Sequence, residues 1–149
     1  MAILDATRGA ADTEQPMPQK NVEIVRRMYE EDIFDRDVDR LLDEFATPEI
    51  EYVNPPEAVD PGVRHGRAEV AQARGNAPAA FESWRHELHE LFDCGESVVA
   101  AVSFHARSRT SGVEVAQEEA HTWTLRDGKI VRFEWGRDLQ TALEAAGRK

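Results

Sequence analysis

The stretch from His121 to Trp135, HTWTLRDGKIVRFEW, constrains the fold more than any other part of the chain. Two segments rich in β-branched and aromatic residues flank Arg126-Asp127-Gly128-Lys129, a polar turn in which glycine can take a left-handed backbone, so a β-hairpin is expected. Its aromatic load makes it a candidate pocket wall. The period of two extends back from it: RHELHELFD, SVVAAVSFHARSR, VEVAQEEAHTWTL and KIVRFEW read as four strands joined by short turns, an antiparallel meander.

The earlier part of the chain has the helical period. NVEIVRRMYEEDIF, residues 21–34, places Val22, Val25, Met28 or Tyr29, and Ile33 at helical spacing, with Asn21 as N-cap. DVDRLLDEFA, residues 37–46, is expected to form a shorter helix that packs against the first and stops at Thr47-Pro48. Residues 49–54 then alternate as a strand, with Ile50, Tyr52 and Asn54 on one face, until Pro55-Pro56 ends it. The loop PPEAVDPGVRHG follows, long and rich in proline, as loops beside binding sites often are. A third helix is expected from about Arg67 to Arg74, interrupted at Gly75-Asn76 and restarting to carry Phe81 and Trp84 towards the core. A last helix, DLQTALEAAG, has Asp138 as N-cap and ends at Gly147. Residues 1–20 hold no sustained period and are expected to be a disordered tail ahead of one domain over residues 21–149.

Turn chemistry sets the expected registers. A two-residue turn at Ser111-Gly112 pairs Val102 with His121, Phe104 with Glu119 and Ala100 with Trp123, and Arg109 with Glu114 on the other face. At Asp127-Gly128 a two-residue loop brings Arg132 and Glu134 beside Trp123 and His121. A three-residue loop with Gly128 as a bulge brings Val131, Phe133 and Trp135 there instead, and is preferred because it leaves one coherent apolar face.

Charge and composition narrow the partners. The chain has 149 residues, 29 acids against 18 bases and a formal net charge of −11, which repels phosphate backbones and argues against nucleic acid. No apolar run approaches the roughly 20 residues of a membrane-spanning helix, and the first residues do not read as a secretory signal, so a cytoplasmic protein without a membrane partner is expected. The single cysteine, Cys94, cannot form an internal disulfide. No Gly-rich phosphate loop or serine or cysteine nucleophile motif is present, and no cofactor is expected. His86-Glu87-Leu88-His89-Glu90 lacks the spacing of the helical zinc motif, and on a strand it sends the two histidines to opposite faces, so no metal site is expected there.

Tyr52-Val53-Asn54-Pro55, His65-Gly66-Arg67, Ser111-Gly112 and the segment from Thr122 to Phe133, in this order of elements, resemble the SnoaL-like branch of the nuclear transport factor 2-like superfamily over residues 21–147. The resemblance implies an α+β fold: a cone-shaped curved antiparallel sheet wrapped around three N-terminal helices, with a C-terminal helix, also described as a cystatin-like α+β barrel. It implies a cavity for a small apolar organic ligand and a homodimer through the outer sheet face. It also offers catalytic templates on a fold shared by unrelated chemistries. Where SnoaL-like polyketide cyclases carry a catalytic aspartate, on the strand entering the DGKI turn, this chain has His121. Tyr52 and Asn54 match the water-positioning pair of limonene epoxide hydrolases, but the relay positions are Phe104, Val102 and Trp135. Asn54-Pro55 stands where ketosteroid isomerases have a carboxylate base, and an amide cannot abstract a proton.

The candidate site follows. His121 is the expected base, in apolar surroundings that keep an imidazole neutral, with Glu119 on the same face to orient it. A core histidine bonded to backbone or to Glu119 is the alternative. Tyr52 and Asn54 either polarise a ligand oxygen or satisfy the loop backbone. Tyr29, Trp84, Val102, Phe104, Glu119, Trp123, Phe133 and Trp135 are the expected ligand contacts, with core packing as the alternative for Tyr29 and the aromatics, and His65 stands at the cavity's mouth. The function so implied is binding of a small hydrophobic molecule, with acid-base isomerisation or cyclisation of a cyclic apolar substrate. A non-catalytic ligand-binding or accessory module of the same fold is the second reading.

Overall fold

The first helix, α1 (Met17–Glu30), starts a turn before the expected cap at Asn21. A computed structural model of the chain describes residues 17–147, so most of the expected tail lies outside the described residues. Val25 and Met28 of α1 are buried as their spacing predicts. The helix does not continue to Phe34, because Asp32 adopts a left-handed backbone (φ 60°), a conformation Asp tolerates better than most residues. After that break α2 (Ile33–Arg36) starts in a new direction and buries Ile33 and Phe34. A short helix, α3 (Val38–Arg40), is capped by Asp37, and the wider turn Leu41–Phe45 then buries Leu41, Leu42 and Phe45.

The helical stretch ends at Phe45, just ahead of Thr47-Pro48 as expected, and strand β1 (Ala46–Asn54) begins earlier than expected and takes those two residues in. Pro48 has no N–H for a ladder, and its stretch coincides with an irregularity in pairing between Ala46 and Glu51. Part of the proline loop folds as β2 (Gly62–His65), antiparallel to β1. The third helix, α4 (Gly66–Gly75), is followed by one turn, α5 (Ala77–Ala80). Phe81 and Trp84 are not on a restarted helix. They open β3 (Phe81–Cys94), where pairing with β4 (Ser97–Ser108) carries the two-residue period back further than expected. The chain continues with β5 (Glu114–Arg126), β6 (Lys129–Gly136) and α6 (Leu139–Ala145), capped by the Asp138 carboxylate on Gln140 N.

The six strands lie in the order β2-β1-β6-β5-β4-β3. The fold is α+β as expected, but the curved sheet is mixed, because β1 and β6 run parallel while every other pair is antiparallel. The expected meander covers only the antiparallel part. Val25, Met28, Ile33, Phe34, Leu42 and Phe45 pack against Ile50, Trp123, Leu125, Ile130 and Phe133 of the sheet. Each such burial contributes about 1.5–3 kcal/mol before chain entropy is counted.

The first hairpin differs from expectation in register and the second in turn length. Val131, expected on the inner face, lies at a bulge beside Thr124 and Arg132, while Ile130 is buried. Arg107, not Arg109, opposes Glu114, so Ala100 faces His121, Val102 faces Glu119, Phe104 faces Gln117 and Val98 faces Trp123. Ser108 N–H donates to Val113 O (2.9 Å), and residues 109–112 form the loop. The slip is two residues, which returns each side chain to the same face. At the other hairpin Asp127 (φ 53°) and Gly128 (φ 77°) form a two-residue turn closed by Arg126 opposite Lys129. The bulge lies at Val131, between Leu125↔Ile130 and Thr124↔Arg132, rather than at Gly128. It still sets Phe133 opposite Trp123 and Trp135 opposite His121.

Candidate active site

A cavity of about 400 Å³ opens between the inner sheet face, α2, α4 and the loop after β1. Phe34, Tyr52, Phe81, Trp84, Phe104, Phe133 and Trp135 supply its apolar wall, and Arg74, His86, Gln117, Glu119 and His121 its polar patch. Another hollow, of about 500 Å³, lies between α6 and the outer sheet face, and no histidine lines it.

The polar patch is one hydrogen-bonded chain drawn from five elements, α1, α2, α4, β3 and β5. The left-handed Asp32 re-aims α2 so that Asp35, on its third residue, reaches β3. There one Asp35 oxygen accepts from the His86 backbone N–H (2.8 Å) and the other lies 2.7 Å from His86 Nδ1. His86 Nε2 is 3.5 Å from Glu119 Oε1, which also meets His121 Nε2 at 2.8 Å. The second Glu119 oxygen accepts from Gln117 Nε2 at 2.6 Å. His121 Nδ1 is 2.6 Å from the Tyr29 hydroxyl, and that hydroxyl accepts from Trp123 Nε1 at 2.8 Å. Arg74 of α4 lies over the Phe34 ring and donates to Phe34 O (2.9 Å), with its guanidinium 3.4 Å from Asp35.

Acceptor-only carboxylates assign the protons. Glu119 can bond His121 Nε2 only if that nitrogen carries hydrogen, so Nδ1 of the neutral ring accepts from Tyr29. Burial lowers the His121 pKa to about 4 although Glu119 opposes the shift, and the ring is neutral near pH 7. His86 differs because each ring nitrogen faces a carboxylate. Burial disfavours its charge, but the bonds to Asp35 and Glu119 outweigh burial and raise its pKa. Burial pushes both carboxyls up, yet hydrogen bonds from the imidazoles win. Glu119 is held well below the usual carboxylate range, and Asp35, with Arg74 adding to the effect, is also lowered.

Of the residues expected at the site, His121, Glu119, Tyr52, Asn54, Trp84, Phe104, Phe133 and Trp135 line the cavity. His121 uses both ring nitrogens internally and is 1% exposed, so anything that binds its Nε2 must displace the bond to Glu119. The Asn54 amide donates to Asp60 O (2.8 Å) and accepts from Trp135 Nε1 (2.6 Å), fastening the loop. Tyr52 packs on Phe133 and accepts from Arg74 at 3.3 Å. Four expectations are corrected. Trp123 is core, wedged between Tyr29, Phe34 and Phe133, because Val98 rather than Ala100 stands opposite it. Tyr29 sits behind His121, and Val102 is buried between Leu88 and Glu119, so neither reaches the cavity. His65, on edge strand β2, is exposed and pairs with Glu51 (3.2 Å) away from the mouth.

Asp35, His86, Arg74 and Gln117 were not expected at the site. His86 had a signal: strand parity puts it on the inner face with Trp84 and Leu88. His89 bulges out of that register and bonds Ser103 Oγ (2.6 Å) on the outer face, so the two histidines do part as their strand context implies. Asp35 and Arg74 had no local signal, since one follows from the break at Asp32 and the other from helix packing.

The profile of the SnoaL-like domain matches residues 25–133. No curated protein matches in sequence. Among solved structures, TerC co-crystallised with polyporic acid is 24% identical at a TM-score of 0.68, covering 86% of this chain and 98% of TerC. A protein from Jannaschia sp. CCS1, assigned to the SnoaL-like polyketide cyclases, is 19% identical at 0.71, covering 91% and 96%. A Catenulispora acidiphila protein with a ketosteroid isomerase-like fold, in complex with trimethylamine, is 16% identical at 0.66, covering 85% and 94%. At these identities the likeness shows the fold alone. Among the described residues no helix is long and apolar enough to cross a membrane.

Proposed function

Because the chain belongs to the SnoaL-like family, we propose that its cavity binds a small, mostly apolar cyclic molecule and that His86 moves a proton to or from it, isomerising or cyclising the ligand. The observation that carries this reading is the Asp35–His86 pair at the cavity wall, 2.7 Å apart. A general acid-base group needs a defined ring orientation and an atom that a substrate can reach. Asp35 supplies the first. The long 3.5 Å contact from His86 Nε2 to Glu119 leaves that atom weakly held and able to turn to a ligand. His121, the base expected from the sequence, becomes the residue that positions Glu119. TerC was crystallised with polyporic acid and the Catenulispora protein with trimethylamine, which supports a small organic ligand and leaves its cyclic character to the cavity's aromatic wall. A homodimer through the part of the outer sheet face not covered by α6 belongs to the same reading, and sedimentation would test it.

The experiment is deuterium uptake from solvent into cyclic ketones small enough for about 400 Å³, followed by NMR. His86→Ala should slow uptake by about 10²–10⁴-fold. Full exchange in that variant would end the catalytic reading. The second reading, a binding module without chemistry, is favoured by the internal satisfaction of Asn54 and His121. Its mark is ligand-induced stabilisation in a wild-type protein that exchanges no deuterium.

A further inference from the structure

Two imidazoles on different strands turn Nε2 to one carboxylate, and each is gripped from behind at Nδ1. Asp35 holds His86 at 2.7 Å, Tyr29 holds His121 at 2.6 Å, and Gln117 holds the outer Glu119 oxygen at 2.6 Å. One ligand atom from each of His86, Glu119 and His121 lies within 4.8 Å of the other two, and all three residues line the cavity. We propose that these three residues form a site for a divalent d-block cation of the zinc or cobalt type, bound by His86 Nε2, His121 Nε2 and a Glu119 oxygen, with the remaining position facing the cavity.

The geometry is close to what such an ion needs. Metal–nitrogen bonds of about 2.0–2.1 Å in a tetrahedral arrangement set ligand atoms about 3.3 Å apart. The His121–Glu119 and His86–Glu119 separations, 2.8 and 3.5 Å, bracket that spacing, and the two imidazoles, with ligand atoms within 4.8 Å of each other, would close on the ion as it binds. Two imidazoles and a carboxylate with an open position suit zinc, cobalt, nickel or iron better than calcium or magnesium, which prefer oxygen ligands. The backing of His86 by a carboxylate is the outer-shell contact that fixes the rings of metal-binding histidines. The HELHE string therefore contributes one ligand, His86, whose companions come from β5 and not from its own motif. A cation displaces the proton on each Nε2: His86 keeps its Nδ1 proton on Asp35, and His121 carries its ring proton on Nδ1, facing the Tyr29 oxygen. A cation and a proton compete for His86 Nε2, so this inference stands or falls separately from proton transfer.

The test is titration of the full chain, stripped with a chelator, with cobalt(II), read by its visible d–d bands. One equivalent of cobalt with bands of four-coordinate geometry is expected. His86→Ala and His121→Ala should abolish them, and Asp35→Asn, which removes no ligand, should weaken binding by about 10–100-fold. The triple variant His65→Ala, His89→Ala, His105→Ala removes every other histidine of the five and should retain the bands. The inference is overturned if the folded wild-type protein takes up no cobalt, if binding survives His86→Ala, or if it is lost in the triple variant. Should an alanine variant fail to fold by circular dichroism, the Asp35→Asn and triple variants decide between these outcomes. Deuterium exchange is measured apart from cobalt, so either proposal can fail alone.

Discussion

The carboxylate of Asp35 lies 2.7 Å from Nδ1 of His86, a contact between residues 51 positions apart that joins a one-turn helix to the inner face of the sheet. Both side chains are nearly closed to solvent, 4% and 7% exposed. Removing one partner strands the other in a low dielectric, a change that costs about 3–5 kcal/mol. Asp35→Ala is thus expected to lose that much stability in urea unfolding, a large share of what a domain this size possesses. A loss below about 1 kcal/mol would place the pair in a far wetter environment than its burial implies.

Trp123 and Phe104 separate the core from the cavity. Trp123 is 1% exposed and touches no cavity space, so Trp123→Ala should cost about 3–5 kcal/mol. Phe104 is half-buried on the cavity wall, and Phe104→Ala should leave the melting temperature much closer to wild type while changing the affinity of a fluorescent apolar dye. Equal destabilisation by the two substitutions would contradict this division.

The hairpin turn is sensitive at a single atom. Gly128 has φ +77°, and a Cβ there would also meet Ile24 Cδ1 at 4.0 Å, which is ordinary contact, so backbone strain alone decides the cost. Gly128→Ala is expected to lose about 1–2 kcal/mol, a fall in melting temperature of about 2–4 °C for each kcal/mol in a chain this long. An unchanged thermal midpoint would count against the left-handed turn.

Acid should loosen α6 before the core. The Asp138 carboxyl is lowered from its usual pKa first by the Thr141 hydroxyl, which donates to it at 2.6 Å, and then by the backbone N–H groups of Gln140 and Thr141. A carboxyl depressed in the folded state contributes fully above its unfolded pKa of about 3.9 and loses that contribution as pH falls through the folded value. The protection of the amides in residues 139–146, relative to their intrinsic exchange at each pH, should fall below about pH 4 in the wild type. Asp138→Asn keeps a capping oxygen but no titrating group, so its exchange should lack that acid step. The same acid step in the variant would assign it to another group.

Local rules carried the sequence reading as far as they reach. Val25, Met28, Ile33, Ile50 and Phe133 are buried where their spacing put them, Asp138 caps α6, and Phe133 and Trp135 face the cavity. These outcomes depend on periods of two or 3.6 residues and on turn chemistry, interactions between neighbours in the chain. Face survived even where register did not, because the slip at Ser111-Gly112 was an even number of residues.

The site was legible only in part. His121 and Glu119 could be placed side by side because they share one strand face, and they are 2.8 Å apart. Asp35 and Arg74 could not be placed, because no period or motif links them to His86. Three decisions belong to the tertiary structure: the left-handed break at Asp32, the bulges at His89 and Val131, and the parallel pairing of β1 with β6. Each depends on packing between segments far apart in sequence, whose energies no local window contains. The sequence by itself determined which residues face inward from the sheet. Only the folded chain decided that His86 stands with a carboxylate facing each ring nitrogen, while His121 is enclosed between Glu119 and Tyr29.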